Sequence, residues 1–305
     1  MKFAHISDLH LNNFFRDSHL KEVRTILKYL KANNIDHIFI TGDLTDNASE
    51  INLRILQKSL AYYGYEKSNR LSVIPGNHDI FGGLQKADDI FSFPEKCKQT
   101  DYNKKIEFFN DTFKATFEEC IYLSQSNFYP YAKIVGEVLV IGINSNAQYS
   151  TLNNPFASNG EVSDQQYSEI EKIFSEFGNF VKYKIILIHH HFNKIKNSMG
   201  FSAAGLWQNI ENQTMKLRKK KRLITLFKNN NVDLVLHGHV HTTHSYTKKN
   251  LIFINSGGSV KGVNTTKLKF NIITVDKDSL KSEIHKISIS QNAHLEKVNL
   301  DIMEY

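Results

Sequence analysis

Cysteine is almost absent from the 305-residue chain: Cys97 and Cys120 are the only two, too few for the disulfide framework of a small secreted domain. Two thiols fit a reducing compartment. No apolar run approaches the roughly 18 residues that cross a bilayer. The N-terminus passes straight into Lys2-Phe3-Ala4-His5-Ile6, without an apolar stretch ending in a small-residue cleavage site. The expectation is a cytoplasmic protein. With four prolines, no low-complexity segment and no internal repeat, nothing marks a linker, so 1–305 reads as a single domain. A composition of 41 % hydrophobic and 23 % charged residues excludes a disordered tail or a collagen-like repeat.

Acid is what residues 214–231 lack. The segment holds seven bases (Lys216, Arg218, Lys219, Lys220, Lys221, Arg222 and Lys228) and no Asp or Glu. The chain has 38 Lys and Arg against 31 Asp and Glu, so without this segment its charges balance. The net +7 is therefore local.

Short β-rich runs at 3–7, 37–41, 71–74, 138–144, 184–188, 232–236 and 251–255 predict strands. Helical patterns at about 19–33 and 49–63 separate the first three, with Val23, Ile26, Leu27 and Leu30 three and four apart. This βαβαβ opening implies a parallel sheet covered by helices. Runs at 270–275 and 283–289 are expected to close a second sheet. In open α/β sheets the chemistry lies past the carboxyl ends of strands.

Metal-ligand residue types stand at those ends. Asp8-Leu9-His10 follows the first strand, Gly42-Asp43 the second and Gly76-Asn77-His78-Asp79 the third. His189 follows the run at 184–188, and Gly238-His239-Val240-His241 the run at 232–236. Each alone is a weak signal, more often a turn residue and a surface histidine. Five in order are hard to explain as packing, because carboxylates and imidazoles this dense are costly to bury without a cation. Glycines 42, 76 and 238 would let the backbone turn sharply beside them.

The ordered set D-x-H, GD, GNH-D, H and GH-x-H, from residue 5 to about 258, resembles the calcineurin-like metallophosphoesterase superfamily. Gly42-Asp43-Leu44-Thr45-Asp46 lacks the GD-x-VDRG form of the protein phosphatases and the tyrosine of purple acid phosphatases. The plainer pattern resembles bacterial class III cyclic-nucleotide phosphodiesterases. The resemblance implies an α/β fold, a four-layer αββα sandwich of two mixed sheets with flanking helices and a dinuclear site at the strand ends. It implies two divalent metal ions (Mn, Fe or Zn), one held by Asp8, His10 and His241 and the other by Asn77, His189 and His239, with Asp43 bridging. Such ions bind phosphate oxygens and bring the pKa of a bridging water toward about 7, giving the hydroxide that attacks phosphorus. His78 would serve the leaving oxygen as proton donor. Asp46 either orients His78 or caps the helix at 49–63. Within His189-His190-His191 the family ligand is the first; His190 is read as lining the pocket and His191 as a bystander.

Two stretches share the metal rim. In the first, an insert of about 80–130, Ile106, Phe109, Phe113 and Phe117 form a stripe at helical spacing, read as a packed cap helix. The second, a candidate lid at 192–213, holds the only tryptophan, Trp207, as a candidate substrate contact. A basic helix is expected at about 215–229, its Lys219, Lys220 and Lys221 drawing in an anion. The leading function is hydrolysis of a small anionic phosphodiester, a cyclic nucleotide being the example; a peripheral contact with an anionic membrane would fit the basic helix, and nucleic acid is not favoured. Alternatives on this scaffold are a UDP-2,3-diacylglucosamine pyrophosphatase, whose relatives carry GN-R-D in place of Gly76-Asn77-His78-Asp79, and an SbcD-type nuclease. The non-enzyme alternative is a scaffold like the retromer subunit of this fold.

Overall fold

The opening alternation folds as its periodicity predicts. In the computed structural model, which describes residues 1–13, 16–83, 89–193, 216–260 and 267–288, β1 (Lys2–Ile6), α1 (Arg16–Ala32), β2 (His37–Thr41), α2 (Glu50–Tyr62) and β3 (Leu71–Ile74) form a parallel βαβαβ unit. Helix α1 buries Val23, Ile26, Leu27 and Leu30, each such side chain stabilising by about 1.5–3 kcal/mol. Helix α2 buries Leu53, Leu56 and Leu60, and Ser49 caps it by accepting the Asn52 N–H.

The C-terminal strands do not close a second sheet. β11 (Lys267–Val275) pairs antiparallel with β1, and β12 (Leu280–Ser288) pairs with β11, giving the order β12-β11-β1-β2-β3. Periodicity identifies a strand but not its partner. The free edge of β1 takes β11, whose Leu268, Phe270 and Ile273 join the core, while β12 alternates half-buried with exposed residues as an edge strand does.

The second sheet comes from the middle of the chain. Its members are β4 (Tyr122–Leu123), β5 (Tyr131–Val135), β6 (Val138–Ile143), β7 (Tyr183–Ile188), β8 (Leu234–His237), β9 (Thr243–Lys248) and β10 (Leu251–Ser256). They run in the order β4-β5-β6-β7-β8-β10-β9, with β6, β7, β8 and β10 parallel and the rest antiparallel. Strands β4, β5 and β9 are additions to the predicted set. The sheets face each other across Phe39, Val73, Val140, Ile185 and Leu187. The outer face of the second sheet packs Ile141, Ile186 and Val235 against α7 (Asp164–Phe177) and α8 (Lys220–Asn229). The layers are helix, sheet, sheet, helix, as the resemblance implies.

Between β3 and β4 lie α3 (Asn77–Ile80), α4 (Asp89–Gln99), α5 (Tyr102–Thr112) and α6 (Lys114–Phe117). Ile106, Phe109, Phe113 and Phe117 are all 5 % exposed or less, so the stripe is core. It is not one helix: the backbone breaks at Phe113 between α5 and α6. Phe192 is core too, packed on Phe253; Trp207 and the candidate lid from 194 onward lie outside the described residues. Among the described residues no helix is long and apolar enough to cross a membrane.

Candidate metal centre

Strands β1 and β2 stop, but their backbones stay paired. Asp8 N–H donates to Gly42 O, His10 N–H to Asp43 O and Leu11 N–H to Leu44 O, each at 3.0 Å. The two loops therefore carry Asp8, His10 and Asp43 forward together. Asp8 (φ 54°), His10 (φ 44°), Asp43 (φ 52°) and His239 (φ 70°) all adopt the left-handed region. Non-glycine residues are uncommon there, and such strain gathers at functional sites. Gly42 turns at φ +91°, where a Cβ would lie 2.6 Å from both Gly76 N and His189 Nδ1. Gly76 and Gly238 matter for proximity, not turning, because a Cβ would press on the carboxylates of Asp43 and Asp8 respectively.

These loops bring all seven expected ligands together. An inner group, Asp43, His189 and His239, comes from the ends of β2, β7 and β8 and is buried. His189 Nε2 lies 3.3 Å from Asp43 Oδ2, 3.2 Å from Asn77 Oδ1 and 3.1 Å from His239 Nδ1. An outer group joins Asp8, His10 and His241, with His10 Nε2 2.9 Å from His241 Nε2 and 3.9 Å from Asp8 Oδ1. Asp43 Oδ2 lies between the groups, 4.0 Å from His10 Nε2.

The donor set fits cations. His189 Nδ1–H donates to Thr41 O at 2.7 Å, which leaves a lone pair on Nε2 of the neutral ring. That lone pair faces a carboxylate oxygen, an amide oxygen and a second imidazole nitrogen. Acceptors facing one another repel unless a proton or a cation stands between them. The inner imidazole shows the tension: burial pushes His189 down, but Asp43 outweighs it and raises it to about 9. Burial pushes His239 well below the usual imidazole range, so it presents a lone pair at neutral pH. A divalent ion answers every one of these atoms at once.

His78 stands beside the ligands. Its backbone N–H donates to Asp43 Oδ1 at 2.9 Å, and its Nδ1 lies 3.1 Å from Asp46 Oδ1. Burial disfavours its charge, but Asp43 and Asp46 prevail and raise it to about 10. Asp46 also lies 3.3 Å from His10 Nδ1, and these two hydrogen bonds overcome burial to hold it well below the usual carboxylate range. The cap of α2 is Ser49, so the cap reading of Asp46 falls away. Asp79, whose role the motif did not announce, accepts the N–H groups of Thr45 (2.8 Å) and Gly76 (2.9 Å) and so ties two ligand loops. Its sign in the sequence is an acid three residues after the cap of a helix.

The substrate-binding residues expected from sequence scatter. His190 is buried beside His239, ring centroids 4.5 Å apart, with Nδ1 2.8 Å from Ser145 Oγ. Helix α8 begins at Lys220, later than expected, because Leu217 is buried and Lys219 turns left-handed at φ 50°. Lys219 pairs with Glu161 at 2.9 Å, Arg218 with Glu161 at 3.7 Å and Arg222 with Asp164. Burial depresses His191 and Lys220 adds to it, while Lys221 is exposed. His5, His37 and His237 are buried on Thr41, Ser72 and Tyr246 and belong to the packing.

The model of the calcineurin-like phosphoesterase family matches residues 1–243. The chain belongs to that family. It is thus a metal-dependent phosphoric ester hydrolase, of a family that uses divalent metals. It is 26 % identical over 259 residues to a probable cyclic nucleotide phosphodiesterase of Coxiella burnetii, covering 83 % of this chain and 81 % of that protein. A dimetal phosphatase from Danio rerio shares the fold at a TM-score of 0.61 and 11 % identity, over 95 % of this chain and 99 % of its own. So does a purple acid phosphatase from yellow lupin seeds, at 0.57 and 16 %, over 94 % of this chain and 51 % of that one.

Proposed function

We propose that this phosphoesterase hydrolyses the diester bond of a small anionic substrate, a cyclic nucleotide being the leading case. The observation that carries the reading is Asp43, whose Oδ2 stands between two donor groups of different make-up. In this reading Asp8, His10 and His241 would hold one divalent cation and Asn77, His189 and His239 the second, with Asp43 placed to serve both. When bound, the pair supplies Lewis acidity to the phosphate oxygens and acidifies water. Three of the donors are neutral imidazoles or an amide in the inner group, which limits the anionic charge an incoming phosphate must meet and suits Mn, Fe or Zn.

The chain itself supplies the acid. His78, held through Nδ1 by Asp46, can offer the proton on Nε2 to the departing oxygen. Thr41 O sets the His189 tautomer in the same way. The likeness to the Coxiella protein supports the cyclic nucleotide as substrate.

Protein reconstituted with Mn, Fe(II) or Zn is assayed on bis-p-nitrophenyl phosphate, on the monoester and on cyclic AMP. The expected result is turnover of the diesters above the monoester. Inertness toward every diester with all three metals would sink the reading. Replacing His78 by Ala should cut kcat by about 10²–10⁴ while both metals stay bound.

A further inference from the structure

Ile143, the last residue of β6, pairs with Ile188, the last of β7, so the turn after β6 runs beside the one that carries His189. That turn is Asn144-Ser145-Asn146, polar at each position and buried at each, with 4 %, 0 % and 5 % exposure. Apolar side chains would fill the same space without the desolvation cost of an amide or a hydroxyl. The polar atoms here go to two ligand loops instead.

Ser145 and Asn146 reach in different directions. Ser145 Oγ lies 2.8 Å from His190 Nδ1 and accepts the His190 backbone N–H at 3.4 Å, one residue past His189. Asn146 Nδ2 donates to Pro75 O at 3.0 Å, on the loop after β3 in the other sheet and two residues before Asn77. These are the loops that bring Asn77 Oδ1 to 3.2 Å from His189 Nε2. Neighbouring residues of one turn thus hold both loops whose side chains meet in the inner group.

The turn itself is fixed. Asn146 Nδ2 also donates to Asn144 Oδ1 at 3.0 Å, which sets its amide, because a flipped amide would turn Oδ1 onto two other oxygens. Tyr102 Oη, at the start of α5, donates to Asn146 O and accepts from Asn144 Nδ2, both at 3.0 Å. Glu161 N–H donates to Ser145 O at 2.9 Å. Gly160 leaves room for the His190 ring, where a Cβ would lie 2.4 Å from the ring carbon Cγ. A turn held in this way can pass position on to the loops it touches.

We infer that Asn146, together with Ser145, is a positioning residue for the inner cation, acting through Asn77 and His189 and not on ion or substrate itself. The inference rests on the reading that Asn77 and His189 share that ion. Hydrogen-bond partners behind a metal ligand are worth about 10–100-fold in metal affinity. Asp8, His10 and His241 stand on other loops, so the effect should fall on one half of the centre.

Cobalt(II) is titrated by calorimetry into the metal-free full chain, unmodified and in two backgrounds. His241→Ala leaves the inner group complete, and His189→Ala leaves the outer. In the first background Asn146→Leu, similar in size but without a donor, should weaken binding by about 10–100-fold. It should also shift the visible absorption of the bound cobalt, whose bands follow donor geometry. In the second background its effect should stay below about twofold. Ser145→Ala, a smaller change, should weaken the same inner ion by at least about threefold, and it carries the test if the leucine variant does not fold. Equal weakening in both backgrounds would mark a general packing role and overturn the inference, as would unchanged affinity in the first. Fewer than two cobalt ions on the unmodified chain would defeat the two-cation reading itself. Two ions there, with both variants unaffected, would defeat the positioning role alone.

Discussion

The two halves of the metal centre are unlike. In the inner group Asp43, His189 and His239 are all buried; in the outer group only Asp8 is, His10 being 15 % and His241 57 % exposed at the side chain. The inner donors stand at the ends of three strands from both sheets, braced by Thr41 O, Asn77 and the His78 N–H. Of the outer donors, His241 lies four residues past the end of β8 with its ring against that of His10. Side chains locked by burial hold geometry better than exposed ones. The inner group should therefore bind its cation tightly and keep it, while the outer group exchanges with solvent. Asp43 is what makes the two halves one site.

The largest effect should come from breaking that link. Asp43→Ala removes an oxygen that faces both halves and the acceptor of the His78 N–H, so kcat/KM on a diester should fall by at least about 10³. A variant that keeps a tenth of the activity would show that the halves work separately. Next comes the asymmetry itself. Stepwise chelation of the loaded protein, followed by metal analysis, should pass through a one-metal form before the empty one. His241→Ala should weaken only the more weakly held ion, on the order of 100-fold, and His189→Ala only the tighter one. Simultaneous loss of both ions from unmodified protein would break the comparison.

A smaller effect tests the backbone. Gly238 N–H reaches His189 O at 3.1 Å, and its missing side chain leaves room for Ser7 and the Asp8 carboxylate. Gly238→Ala overpacks that contact and should cost about 1–3 kcal/mol of stability by denaturant unfolding. The displaced carboxylate is Asp8, so metal loss should be confined to the outer group. Loss confined to the inner group would mean that burial does not decide which ion is held.

The cluster of candidate ligands was legible because metal chemistry demands those residue types and each stands just past a strand that periodicity reveals. Asp46 was half legible: it fitted a cap or an orienting acid, and the capping bond of Ser49 removes the first. What stayed hidden depends on partners distant in the chain. Nothing in the β11 pattern says that Ala4 will face Ile272, and nothing in Asp8 or His239 announces a left-handed backbone. The turn after β6 was invisible for a related reason. Ser145 and Asn146 are ordinary loop residues until folding sets them beside His190 and Pro75.

The basic segment provides the smallest effect and the last test of the asymmetry. As a run in the sequence, Lys219, Lys220 and Lys221 promised a field that would draw anions, and their neutralisation should then raise KM and flatten its salt dependence. Folding changes the sum. Glu161 and Asp164 answer Arg218, Lys219 and Arg222, and Lys220 lies toward His191 beside the inner group. Charges so compensated are screened within about 10 Å at 0.1 M salt. The triple variant Lys219→Ala, Lys220→Ala, Lys221→Ala should change KM by no more than about twofold at any ionic strength, with kcat and metal content untouched. A KM that rises more than tenfold at low salt would mean that surface charge feeds the buried half of the site, and that its ion pairs open when substrate arrives.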